Sequence, residues 1–185
     1  APVHPYAFSH RAGEDVVRAS HDSEEIEGIV IRLSNAYGAP ASKNVNCWML
    51  LVNDLCRQAA TSGKLMLHSS GLQRRDFISI HDVVRGIKHF MELPSDKCKS
   101  SFFNLGGEAS YRVIDFAELV VLRCEAVLGF KPAIERPEPK PGEDSLALNF
   151  QIDKLKETGF CLSGDVENEI DVTLKFCHEA FGESS

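Results

Sequence analysis

A phenol and an imidazole stand one helical turn apart, at Tyr6 and His10 in the run Pro5-Tyr-Ala-Phe-Ser-His10. A phenol can give or take a proton, but with an ordinary pKa of about 10 it is a poor base at neutrality unless a cation lies beside it. An imidazole titrates close to neutrality, so it supplies less positive charge than a lysine and reaches less far. Asn35, in Arg32-Leu-Ser-Asn35-Ala-Tyr37-Gly38-Ala-Pro40, carries an amide that donates and accepts at once, which suits a diphosphate or a ribose edge. The same residues also make a good turn. Arg75, in Arg75-Asp76-Phe77-Ile78-Ser-Ile-His-Asp82, has a planar guanidinium that can hold two phosphate oxygens, although Arg74 and Arg75 also read as solvated turn residues. Lys140, in Lys140-Pro-Gly-Glu-Asp144, offers a point charge instead of a fork. Phe103-Asn104-Leu-Gly106-Gly107 reads as the end of a strand.

These blocks, in this order, resemble the back half of an extended short-chain dehydrogenase/reductase of the NAD-dependent sugar-nucleotide epimerase/dehydratase family. The resemblance runs from Tyr6 to about the last helix. It implies that Tyr6 is the acid/base, exchanging a proton with a substrate hydroxyl while hydride passes to or from a nicotinamide. The family's Tyr-x-x-x-Lys pair has His10 where the lysine would hold the cofactor ribose and lower the phenol pKa. Arg11 is next in sequence but lies about 100° away around a helix, so it is no simple substitute. Asn35 and Arg75 fall where the family binds the nucleotide-sugar, with Asp76 free to orient Arg75 or to cap backbone. Lys140 replaces an arginine that reaches the diphosphate, and Lys154 falls in a segment that packs the substrate lobe. NAD or NADP is the implied cofactor. Its glycine-rich phosphate loop, G-x-x-G-x-x-G or G-x-G-x-x-G, does not occur here. Neither does the Ser/Thr that assists the tyrosine, which would lie before Ala1. A chain that starts with Ala instead of Met fits a part of a longer polypeptide.

The elements that position these residues follow from apolar spacing. A helix over 6–21 follows Pro5. Gly28–Leu33 suits a strand buried on both faces of a parallel sheet, and Asn35–Lys43 is its loop. Residues 44–60 show helical spacing closed by Ser62-Gly63. Two short strands, 64–68 and 76–80, flank a Ser-Ser-Gly turn. A helix over 82–93 carries Asp82 as its N-cap and is stopped by Pro94. A strand over 101–105 precedes a helix capped by Ser110 and ended by Gly129. Residues 135–144 form a proline-rich loop, 153–158 a short helix ended by Gly159, and 165–181 the final helix with Ile170, Leu174 and Cys177 on one face.

Composition narrows the classes. Hydrophobic residues at 43% and charged residues at 25% are ordinary for a globular protein. A net charge of −7 with no basic stripe argues against a nucleic-acid partner. No apolar run approaches the roughly 18 residues needed to span a membrane, and no signal-peptide pattern opens the chain. The six cysteines form no C-x-x-C pair, which predicts buried free thiols in a reducing cytoplasm and no zinc site. His68, His81 and His89 are scattered, and no metal is expected.

The expected architecture is α/β: the last strands of a Rossmann-like parallel sheet plus a small mixed α/β substrate-binding lobe. Residues 1–43 belong to the cofactor domain, and 44–185 mainly to the lobe with interleaved Rossmann elements. Under the resemblance the parent protein is an NAD(P)-dependent epimerase, dehydratase or reductase, and these residues alone are inactive. The alternative is a catalytically degenerate nucleotide-sugar-binding or regulatory homologue, because of His10; a third is an interaction domain that keeps only the fold. A parallel sheet cut at this point leaves an unpaired edge, so the chain is expected to associate or to continue. A homodimer through the Tyr6 helix is the default.

Overall fold

The run Gly28–Leu33 contributes the strand β1 (Val30–Leu33), parallel to β5 (Phe102–Leu105) with Val30 opposite Phe102 and Leu33 opposite Leu105, but it is not buried on both faces as expected: Val30 is buried, while Arg32 and Leu33 are exposed. The computed structural model describes residues 4–98, 100–143 and 148–182. Ahead of β1 comes α1 (Pro5–Asp22), then β2 (Asn35–Tyr37), α2 (Leu51–Ser62), β3 (Lys64–Met66), β4 (Arg74–Ser79) and α3 (Ile80–Glu92). After β5 come β6 (Ser110–Arg112), α4 (Val113–Leu128), β7 (Ala133–Glu135), α5 (Asp153–Lys156) and α6 (Val166–Phe181). The fold is mixed α/β, with β2 parallel to β4, β4 antiparallel to β6, and β3 parallel to β7.

Two cores meet at β4. Successive side chains of a strand point to opposite faces. Phe77 accordingly enters a core built by α2, α4 and α6, with Leu55, Phe116 and Leu174 fully buried. Ile78 enters the second, where Val83 and Phe90 of α3 pack on Phe103 and Leu105 of β5. Ile170, Leu174 and Cys177 are wholly buried along α6, as their spacing predicts. All six cysteines are free; Cys56, Cys124 and Cys177 lie in the first core, and burial pushes the Cys177 thiol up to about 12. Gly63 and Gly129 take left-handed conformations (φ 64 and 79) that end α2 and α4.

Several local expectations give way to distant partners. Residues 44–50 do not extend α2: Trp48 packs against Phe176 and Phe181 of α6, and its Nε1–H donates to the Lys43 carbonyl at 2.9 Å. Asn35–Tyr37 leaves the loop to pair with β4. The strands either side of the Ser-Ser-Gly turn do not pair with each other; β3 joins β7, and β4 joins β2 and β6. Ser79, not Asp82, caps α3, its Oγ accepting the Asp82 N–H at 3.0 Å. Asp82 instead takes Arg85 and both the N–H and the Oγ–H of Ser163, fastening the approach to α6. Ser110 is not a cap but the start of β6. Asp144 lies outside the described residues. Among the described residues no helix is long and apolar enough to cross a membrane.

Candidate functional site

Pro5 and His4 set the start of α1: proline suits the first helical position, and His4 Nδ1 accepts the Tyr6 N–H at 3.3 Å. Tyr6 and His10 then fall on one face, their rings 4.1 Å apart between centroids and tilted by 44°. Both are exposed, Tyr6 by 67%. They line a groove of about 800 Å³ completed by Glu14, Arg32, Leu33 and Phe150. Arg11 also borders it, but its Nε–H donates to Asp15 at 3.3 Å. Tyr37 is no rival to Tyr6: it is 2% exposed with its ring against Phe116, and burial raises its phenol pKa.

A residue pair absent from the sequence reading holds this face. Arg32 donates through Nε and Nη2 to the two oxygens of Glu14, at 2.8 and 2.6 Å, and its guanidinium stacks 4.4 Å from the centroid of Phe102. The Arg32 hydrogen bond holds the Glu14 carboxyl below its usual range. No residue of α1 is buried, so this fork is the main polar tie between the helix and the sheet. A charged residue inside the apolar run Gly28–Leu33 was the available signal.

Asn35 and Arg75 lie on the paired strands β2 and β4, with Asn35 opposite Phe77, two residues beyond Arg75. Asn35 Nδ2–H donates to the Asp76 carbonyl at 2.8 Å, and Arg75 is the next residue along β4, exposed and without a polar partner among the described residues. Asp76 does not orient Arg75. It is 2% exposed and accepts the Gly107 N–H at 2.8 Å and the Ala109 N–H at 3.0 Å. It borders a second, polar cavity of about 310 Å³ with Glu108, Ser110 and Gln151, and Phe150 separates that cavity from the Tyr6 groove by lining both. Arg74, in contrast, donates Nη1–H to the Ser110 carbonyl at 2.7 Å.

Lys140 is exposed, and no described contact joins it to Tyr6, Asn35 or Arg75. Its main-chain N–H donates to Glu143 at 2.9 Å; the other Glu143 oxygen accepts from Ser70 Oγ, which lowers the Glu143 pKa. Arg136 donates to the Ser70 carbonyl, so the proline-rich loop is tied to the Ser-Ser-Gly turn. Elsewhere, Glu169 of α6 is nearly buried and, among the described residues, accepts only the His81 N–H, at 3.4 Å; burial raises its pKa. His89 Nε2 lies 2.7 Å from Thr158 Oγ1. Among the described residues no group of three or more His, Cys, Asp or Glu is placed to hold a metal ion.

The sequence and the fold have counterparts among known proteins. The model of the NAD dependent epimerase/dehydratase family matches residues 1–106. The dTDP-glucose 4,6-dehydratase of Streptomyces griseus is 26% identical over 183 residues, taking in 96% of this chain and 51% of that protein. The solved structure of RMD from Pseudomonas aeruginosa, complexed with NADPH, superposes with a TM-score of 0.76 at 16% identity over 97% of this chain and 58% of that one. That of TunA, an NAD-dependent NDP-hexosamine 5,6-dehydratase involved in tunicamycin biosynthesis, gives 0.67 at 26% identity over 95% and 54%. The chain thus spans about half the length of the curated relative it matches.

Proposed function

The chain belongs to the NAD-dependent epimerase/dehydratase family, and we propose that it is the tyrosine-bearing, substrate-binding part of an NAD(P)-dependent epimerase or dehydratase acting on a nucleoside-diphosphate sugar. The observation that carries this is the Tyr6–His10 ring contact on the exposed face of α1, over a groove walled by Leu33 and Phe150. That groove suits the nicotinamide end of NAD or NADP, because the apolar side chains of Leu33 and Phe150 line it beside a phenol and an imidazole. Tyr6 and His10 would hold the nicotinamide riboside, and the dinucleotide, when bound, supplies a hydride acceptor. No glycine-rich turn in the sequence offers a cradle for its pyrophosphate.

The chain's own residues then divide the work. Tyr6 exchanges a proton with a substrate hydroxyl, with the His10 ring against its face in place of a lysine. Asn35 and Arg75 hold the nucleotide-sugar, and Lys140 provides a secondary contact to the diphosphate. Residues 1–43 serve the cofactor side and 44–185 mainly the substrate side. The apolar side chains of Phe8 and Val16, 58% and 66% exposed on α1, support a homodimer through that helix. Six free thiols support a reducing, cytoplasmic setting. Tyr6→Phe in the intact protein is expected to abolish turnover of a nucleoside-diphosphate sugar with NAD or NADP while leaving sugar-nucleotide affinity nearly unchanged. Near wild-type turnover in that variant overturns the assignment.

His10 favours a second reading, a homologue that binds a nucleotide-sugar without hydride transfer. His10→Lys separates the two. A large gain in turnover over the natural protein supports the degenerate homologue, and a loss supports a chemistry adapted to the imidazole.

A further inference from the structure

Three of the sequence blocks converge on one buried carboxylate. Asp76 lies between Arg75 and Phe77 on β4, 2% exposed, and uses every strong acceptor it has. One carboxylate oxygen takes the Gly107 N–H at 2.8 Å and the other the Ala109 N–H at 3.0 Å. Its main-chain carbonyl takes Asn35 Nδ2–H at 2.8 Å. The fit leaves no slack: a Cβ on Gly106 would come 2.6 Å from Asp76 Oδ1, and one on Gly107 would come 2.0 Å from the Phe77 carbonyl oxygen.

A carbonyl can only accept, so the Asn35 amide must turn its nitrogen to Asp76 and its oxygen away. The flip state of the exposed amide is therefore set by the strand behind it. The Asp76 carboxylate in turn ties that strand, already paired with β2 and β6, to the Gly107–Ala109 turn. Hydrogen bonds from backbone N–H groups to a carboxylate are stronger than neutral ones and hold position accordingly.

We propose that Asp76 is a positioning residue that fixes the orientation of Asn35, so that Asn35 presents its Oδ1 acceptor and one remaining N–H to the nucleotide-sugar. This rests on the reading of Asn35 as a substrate ligand. Asp76→Asn tests it because an amide in that place can accept only one of the two backbone N–H groups and turns an NH2 on the other.

The decisive experiment is a double-mutant cycle on the full chain with dTDP-glucose and UDP-glucose as probes, combined with NMR exchange of the Asn35 side-chain amide. Asn35→Ala, at an exposed site, keeps the fold. It is expected to weaken probe binding about tenfold, and Asp76→Asn to do the same. The double variant should lose no more than either single one, since both remove one device. A loss near a hundredfold in the double variant shows that the two act separately and overturns the proposal. Asn35 amide exchange should rise about tenfold in Asp76→Asn with no ligand present; unchanged exchange also overturns it. If the natural protein binds neither probe, the nucleotide-sugar reading fails, and amide exchange alone decides whether Asp76 orients Asn35.

Discussion

Gly107→Ala should be among the most damaging single substitutions in this chain. The β carbon it adds would lie 2.0 Å from the Phe77 carbonyl oxygen, 3.1 Å from the Phe77 carbonyl carbon and 3.7 Å from Ile78 Cα, all backbone of β4. Carbon and carbonyl oxygen normally approach no closer than about 3.3 Å. The turn after β5 must therefore withdraw by more than about 1 Å, and no side chain can yield instead. That withdrawal pulls Gly107 and Ala109 off the Asp76 carboxylate, which now holds them at 2.8 and 3.0 Å. Strain of ~1–3 kcal/mol adds to the weakening of two hydrogen bonds to a buried charge, for a total loss of about 3–5 kcal/mol. Urea denaturation followed by far-UV circular dichroism measures it, with Gly13→Ala as the control. Gly13 lies mid-helix in α1 with nothing within 4 Å of the added carbon, so alanine there should stabilise by roughly 0.5–1 kcal/mol. A loss below about 1.5 kcal/mol at Gly107 would refute the close approach and the Asp76 clamp built on it.

Glu14→Gln removes one side of the Arg32 fork and should cost ~1 kcal/mol near neutral pH, a modest figure because the Arg32 side chain is 43% exposed. The Arg32 bond lowers the folded-state pKa of Glu14, so this contribution exists above the unfolded value of 4.5 and fades as pH falls through the folded value. The difference between natural protein and variant should accordingly shrink in acid. Glu169→Gln should behave in the opposite sense. Burial raises the folded pKa of Glu169, so the folded state binds the extra proton and stability declines as pH rises from 4.5 through that value. The glutamine variant should melt higher than the natural protein at pH 7 and level with it below pH 4; a lower melting temperature at pH 7 refutes the cost assigned to this carboxylate.

What the sequence disclosed depended on whether a residue's partner lay near it in the chain. The final helix was legible because Asp165 caps it and Ile170, Leu174 and Cys177 repeat at helical spacing, both local facts. The start of α2 was not, because Val45, Trp48 and Met49 continue the same spacing, and only contact with Phe176 and Phe181 pulls Trp48 out of it. Ser110 reads as a good cap until β4, more than 30 residues earlier, pairs with it as β6 and sets it opposite Asp76. The site divides along the same line. The proposed site residues Tyr6, His10, Asn35, Arg75 and Lys140 were picked out by type and order, and all five are exposed. The residues that hold them, Glu14 through Arg32 and Asp76 through Gly107 and Ala109, act across separations of 18, 31 and 33 residues. The proposed ligand-facing side chains were legible by type and order alone, even where, as at Asn35, folding adds a partner. Side chains that position them are defined by partners that only folding supplies, and a carboxylate such as Asp76 has the same appearance in sequence whether it meets an arginine or two backbone amides.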